Sequence, residues 1–185
     1  MSQFRMNTLM VLCTVVLFAA TFALNEIFRP LEFAPGINWV YLPAGMRLLC
    51  TLLFGGAGAI GLLIVSWLVS FYLFPDDLLR AFMGGVLSSL APYLVYLFAQ
   101  RLYGLHASLA NLTPARLLAC IVAYSVASPS LLHLWFWLHG DAHDLRGWAV
   151  MMAGDLAGTL IVVYAAKGLL ALFTRRHTRP PNHSF

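Results

Sequence analysis

The sequence predicts an all-α fold, a polytopic membrane helix bundle of about six transmembrane helices. Three observations point there. The 185 residues are 61% hydrophobic and 10% charged, with a mean hydropathy of +0.83; soluble domains carry about 25% charged residues. The apolar residues fall into runs of roughly 17–25, the length that crosses a bilayer core. Prolines, glycines and charges collect mostly between those runs. One bundle is expected over residues 1–173, followed by a short basic cytoplasmic tail over 174–185, expected to be disordered.

The first span reads as Asn7–Leu24. Arg5 precedes it, and Ala20-Thr21-Phe22-Ala23 looks like a signal-peptide cleavage site. The apolar run is long for a signal peptide, so an uncleaved span is expected. The next segment, Asn25–Asn38, holds Pro30, Pro35 and Gly36 and reads as a loop. The second and third spans, Ile37–Phe54 and Ala57–Leu73, are separated only by Gly55-Gly56, which predicts a tight antiparallel hairpin. The remaining spans read as Leu78–Gln100, Pro114–Leu138 and Trp148–Phe173.

Charge sets the expected topology. With both termini inside, the inner segments hold Arg5, Arg101, Arg116, Arg175, Arg176 and Arg179 and no acidic residue. The outer loops hold Arg29, Arg80 and Arg146 among six carboxylates. This excess of inner arginine follows the positive-inside rule. Trp39, Tyr41, Trp135, Trp137 and Trp148 cluster toward the outer interface, as an aromatic belt does.

Inside the spans lie Arg47, Asp155 and Lys167. Lys167 is near the inner end and can snorkel. Arg47 and Asp155 are deeper, and a charge there costs roughly 2.5–3.5 kcal/mol on insertion scales. Helix rise puts Arg47 roughly 15 Å and Asp155 roughly 10 Å below the outer ends of their spans. An Arg47–Asp155 ion pair is therefore expected. Gly154 and Gly158 flank the acid as a GxxxG, which lets another element approach closely. Pro43, one turn before Arg47, loosens the second span. His133 lies at a depth similar to Asp155. The candidate ligand-binding set is Arg47, Asp155, His133, Pro43 and Tyr41. The plain alternative is an ion pair that only locks two spans together; a third reading is a proton relay with Asp155 as its one member.

Other chemistry is thinly represented. His139, Asp141 and His143 could hold a divalent metal at the outer surface, but a solvated loop explains them as well, so no metal is assigned. No second histidine partners His133 across the membrane, which disfavours haem, and no cofactor is expected. Cys13, Cys50 and Cys120 sit in apolar runs as small hydrophobes. Ser88, Ser89 and Ser128 are explained by bonds back to their own helices. With no nucleophile elbow, phosphate loop or dinucleotide fingerprint, an enzyme is not expected. The scattered basic residues are not a nucleic-acid surface.

Two segments resemble the first class of membrane-associated sensor domain, found ahead of bacterial diguanylate cyclases and histidine kinases. One is Tyr41-Leu42-Pro43-Ala44-Gly45 with the Gly55–Gly61 turn; the other is Gly154-Asp155-Leu156-Ala157-Gly158. The resemblance implies a stand-alone bacterial inner-membrane relative that senses a ligand and signals through a separate protein, with six spans against the family's usual eight. Small size and six spans are also similar to the substrate-binding subunits of modular vitamin transporters. The expected function is thus non-catalytic sensing or binding of a small anionic ligand through an outer-facing polar pocket. The alternatives are a small-solute transport subunit or permease and a membrane assembly or structural subunit. The expected partners are the lipid bilayer and a separate signalling or transport protein.

Overall fold

A computed structural model of the protein describes residues 2–34, 36–104, 112–139 and 145–177. Six α-helices follow one another: α1 (Gln3–Asn25), α2 (Leu42–Phe54), α3 (Gly56–Leu73), α4 (Leu78–Tyr103), α5 (Pro114–Leu138) and α6 (Leu145–His177). A 3-10 turn, Glu26–Leu31, and an antiparallel pair, β1 (Glu32–Ala34) and β2 (Ile37–Asn38), join α1 to α2. Five helices are long and apolar enough to cross a membrane; α2 is shorter. The chain is an all-α bundle of membrane character, and its helices match the expected spans closely except at the second and the last.

The second span was expected to be helical from Ile37. The helix begins only at Leu42, and Ile37–Asn38 pairs with β1 instead. The reason is chemical. An apolar run reads equally as buried helix or buried strand, and Ile37 and Val40 are β-branched residues that favour extended backbone. Pro43 then falls within the first turn of α2, where a missing N–H costs nothing. The 13 residues of α2 extend only about 20 Å, against a bilayer core of roughly 30 Å. The last helix runs past Phe173 to His177, so the expected tail begins as helix.

This half-length helix stands at the centre. It touches α1, α3, α4 and α6, while α1, α3, α4, α5 and α6 stand side by side around it. Nine of its 13 residues are buried. Gly55 closes α2 and opens α3 at φ 55°, a left-handed value that favours glycine. Away from the β hairpin the centre is apolar: Leu48, Leu52, Val95, Ala99 and Ile121 pack together there. Phe18, Leu62 and Val65 join α1 to α3. One end of the bundle is therefore packed shut with hydrocarbon, and polar side chains gather toward the other, the hairpin end.

Candidate functional site

The extended segment ahead of α2 is held against α6 by its backbone. Tyr41 N–H donates to the Gly154 carbonyl at 3.1 Å. Leu42 N–H donates to Asn25 Oδ1 at 2.8 Å, so the last residue of α1 satisfies an amide at the start of α2. The two glycines of the GxxxG make this approach possible. A Cβ at Gly154 would collide with the Asn38 carbonyl, and one at Gly158 with the Tyr41 carbonyl. Gly45, one turn into α2, also packs closely on Thr159 and Val162, where a Cβ would come within 2.6 Å of Val162 Cβ. The close partner of the GxxxG is thus extended chain as well as helix.

Side chains on a helix lean toward its N-terminus. Arg47 accordingly leans back toward the hairpin end and lies 5% exposed. Its guanidinium carbon sits 5.1 Å from the Phe18 ring centroid and 5.4 Å from that of Tyr41. Each ring face offers the cation a favourable contact in a desolvated setting.

The expected Arg47–Asp155 ion pair is not made. Among the described residues the salt bridge is Arg29–Glu26, on the surface. Arg47 and Asp155 interact through space but do not approach within the 4.0 Å of a contact pair. Helix α2 starts late, level with Gly154 and Gly158, so the backbone of Arg47 lies deeper than that of Asp155 even though its side chain leans back. The depth estimate failed because it counted residues 37–41 as helix.

Asp155 is 1% exposed, and neither of its oxygens has a hydrogen-bond partner. Ser128 and Tyr124 on α5 and Thr159 on α6 surround this region; Ser128 lies beside the carboxylate and Tyr124 beside Arg47, yet none of their hydroxyls makes a hydrogen bond of full geometry. Ser128 therefore does not bond back to its helix as expected, whereas Ser89 does, to the Gly85 and Val86 carbonyls at 2.9 Å. Buried polar groups without partners are uncommon and concentrate where proteins bind or react.

Nearer the hairpin end lies a cavity of about 100 Å³. Arg47, Tyr41 and His133 line it, so three of the five expected site residues meet at one cavity. Arg80, Ser70 and Ser88 complete its polar lining; Leu132, Phe136, Val69 and Met151 supply apolar surface. Asp155 and Pro43 are not part of that wall. Pro43 is fully buried in the first turn of α2, and Asp155 belongs to the hydroxyl cluster. A second cavity of about 60 Å³ adjoins at Tyr41, Gly36 and Leu73 and reaches Asn25, Glu26 and Arg29.

Arg80 escaped the sequence reading because it follows Asp76 and Asp77 and looked like a loop charge. It lies in the first turn of α4, where Asp77 caps the helix by accepting from Arg80 N–H at 2.9 Å. Its guanidinium carbon lies 4.8 Å from the Phe74 centroid and 4.6 Å from that of Phe136. The usable signal was its place one turn from Gly84 and two from Ser88, on the same face of α4. Ser88 has a further distinction: Pro92, one turn on, has no N–H for its carbonyl. His133 Nδ1 lies 3.0 Å from the Pro129 carbonyl, which fixes the ring on the wall.

Of the metal candidates, His139 places Nδ1 2.9 Å from the Trp135 carbonyl and stacks on the Trp135 ring. Asp141 and His143 lie outside the described residues. Comparison with protein-family models, curated proteins and solved structures gives no match.

Proposed function

We propose that this protein binds a small anion in the hairpin-end cavity, in a sensing rather than a catalytic role. One observation carries the reading. Arg47, buried and without a carboxylate in contact, lines one cavity together with Arg80, His133 and Tyr41. A buried cation requires compensation, and a guanidinium with five donors favours a planar, bidentate oxyanion. The apolar packing beyond Leu48 and Leu52 supports one-sided access, from the hairpin end. The arginine distribution supports placing that end outside a bacterial inner membrane, with both termini inside. In the sensing reading the occupied state is passed to a separate signalling protein through the helices that form the wall.

A transport subunit is the second reading. The half-length α2 and the extended chain ahead of it favour that reading, because broken helices with unwound backbone often frame substrate sites in transporters. Sensing and transport share the first step, so one experiment tests both. Purified protein is heated with butyrate, phosphate or sulfate, wild type beside Arg47→Lys. A ligand at a hundredfold excess over Kd stabilises the fold by about 2.7 kcal/mol. Stabilisation of wild type with a weaker response in Arg47→Lys is expected, because lysine lacks the planar fork. If no anion stabilises the wild type, the pocket reading fails and the assembly role is left.

A further inference from the structure

His133 belongs to two walls. One is the polar cavity of Arg47 and Arg80; the other is a groove of about 510 Å³ between α5 and α6. The groove is lined by Leu134, Trp137, Leu145, Trp148 and Ser130 besides His133. Leu134, Trp137 and Leu145 are 50%, 57% and 71% exposed on the outside of the bundle, toward its outer interface. The groove has a polar floor as well: Trp148 Nε1 donates to Ser130 Oγ at 3.2 Å. An apolar channel facing lipid thus meets a cationic pocket at a single imidazole.

The size of the cavity restricts what can bridge the two. A water needs at least roughly 10–15 Å³ measured this way, so about 100 Å³ takes a carboxylate and its first few methylenes. It does not take a phosphodiester, a glycerol and two chains. The groove offers the remaining length of one chain an apolar bed equivalent to the acyl-chain surroundings that it leaves.

We propose that the ligand is a long-chain fatty acid drawn from the surrounding leaflet. Its carboxylate lies at Arg47 and its chain leaves past His133 along the α5–α6 groove. This rests on the anion pocket proposed above and adds the ligand class and the route. The shared His133 wall and the pairing of a head-sized cavity with a chain-sized groove carry it.

The experiment uses the full chain in phosphatidylcholine nanodiscs, with radiolabelled stearate as the probe and butyrate stabilisation as the reference. Wild type should retain stearate saturably, displaced by unlabelled stearate and not by methyl stearate. Arg47→Gln should weaken retention by roughly tenfold or more, the loss of a charge-assisted contact. Leu134→Trp and Leu145→Trp each narrow one lip of the groove. At least one should weaken stearate binding to a similar degree while butyrate still stabilises it, which also shows that the variant is folded. If methyl stearate competes equally, or if neither lip variant separates stearate from butyrate, the inference is overturned and the anion pocket survives. If wild type binds neither stearate nor butyrate, both fall.

Discussion

Gly158→Ala puts the packing of the extended segment on α6 to a direct test. The added Cβ would run into the Tyr41 carbonyl and come within 2.9 Å of Leu42 N. Neither is the far end of a flexible side chain. Both belong to a backbone pinned by Tyr41 N–H on Gly154 and Leu42 N–H on Asn25. Relief means moving the segment off α6 and stretching those two bonds, each worth about 0.5–1.5 kcal/mol net. Overpacking itself costs typically about 1–3 kcal/mol. The expected destabilisation is therefore about 2–6 kcal/mol. Gly168→Ala is the control on the same helix, since its Cβ meets nothing within 4 Å; there alanine should be neutral or gain up to about 1 kcal/mol in helix propensity. Unfolding by SDS in mixed micelles, followed by circular dichroism, measures both. If the two alanine variants unfold alike, the close backbone approach at Gly158 is wrong, and with it the placement of Tyr41 beside Arg47.

Asn25→Ala removes the side-chain acceptor at the start of α2 and should cost about 1 kcal/mol in the same assay; no loss would mean that another group satisfies Leu42 N–H. Asp155→Asn should cost less than the roughly 3–5 kcal/mol typical of breaking a buried ion pair, because the carboxylate has no hydrogen bond or contact cation to lose. A double-mutant cycle with Arg47→Gln that returns a coupling of that full size would contradict the separation seen here. Maleimide should label Cys13 in the folded protein before Cys50 and Cys120, which are 1% and 4% exposed; early labelling of Cys50 would contradict the central position of α2. Reporter fusions after Arg176 and within 141–144 should read cytoplasmic and extracytoplasmic respectively, and an extracytoplasmic result after Arg176 would reverse the orientation.

The long helices were legible because a membrane segment must satisfy its own backbone, which makes apolar length a strong signal. Five of six helices begin and end within a few residues of the apolar runs, apart from the extension at His177. The second differs for a physical reason: apolarity reports burial, not backbone conformation, and Ile37, Asn38, Val40 and Tyr41 are buried or half-buried in non-helical chain. That one shift of register moved Arg47 away from Asp155. The burial of both residues was visible from charge in an apolar context, and so was the close approach at Gly154 and Gly158. Their partners were not, because pairing depends on relative depth to within a few ångströms. Arg80 was hidden among loop charges, and the hydroxyl cluster of Tyr124, Ser128 and Thr159 gave no signal at all, since Ser128 and Thr159 could equally bond to their own helices and Tyr124 reads as a core aromatic.

Nitrogen-15 NMR of the arginine side chains in nanodiscs tests the central claim most directly, because it watches the Nε–H of Arg47 itself. Addition of butyrate should shift the Arg47 signal saturably, with a smaller response at Arg80 across the cavity, and Arg47→Lys should abolish saturable binding. A spectrum in which the Arg47 signal stays fixed while the protein remains folded would contradict an anion site at this residue.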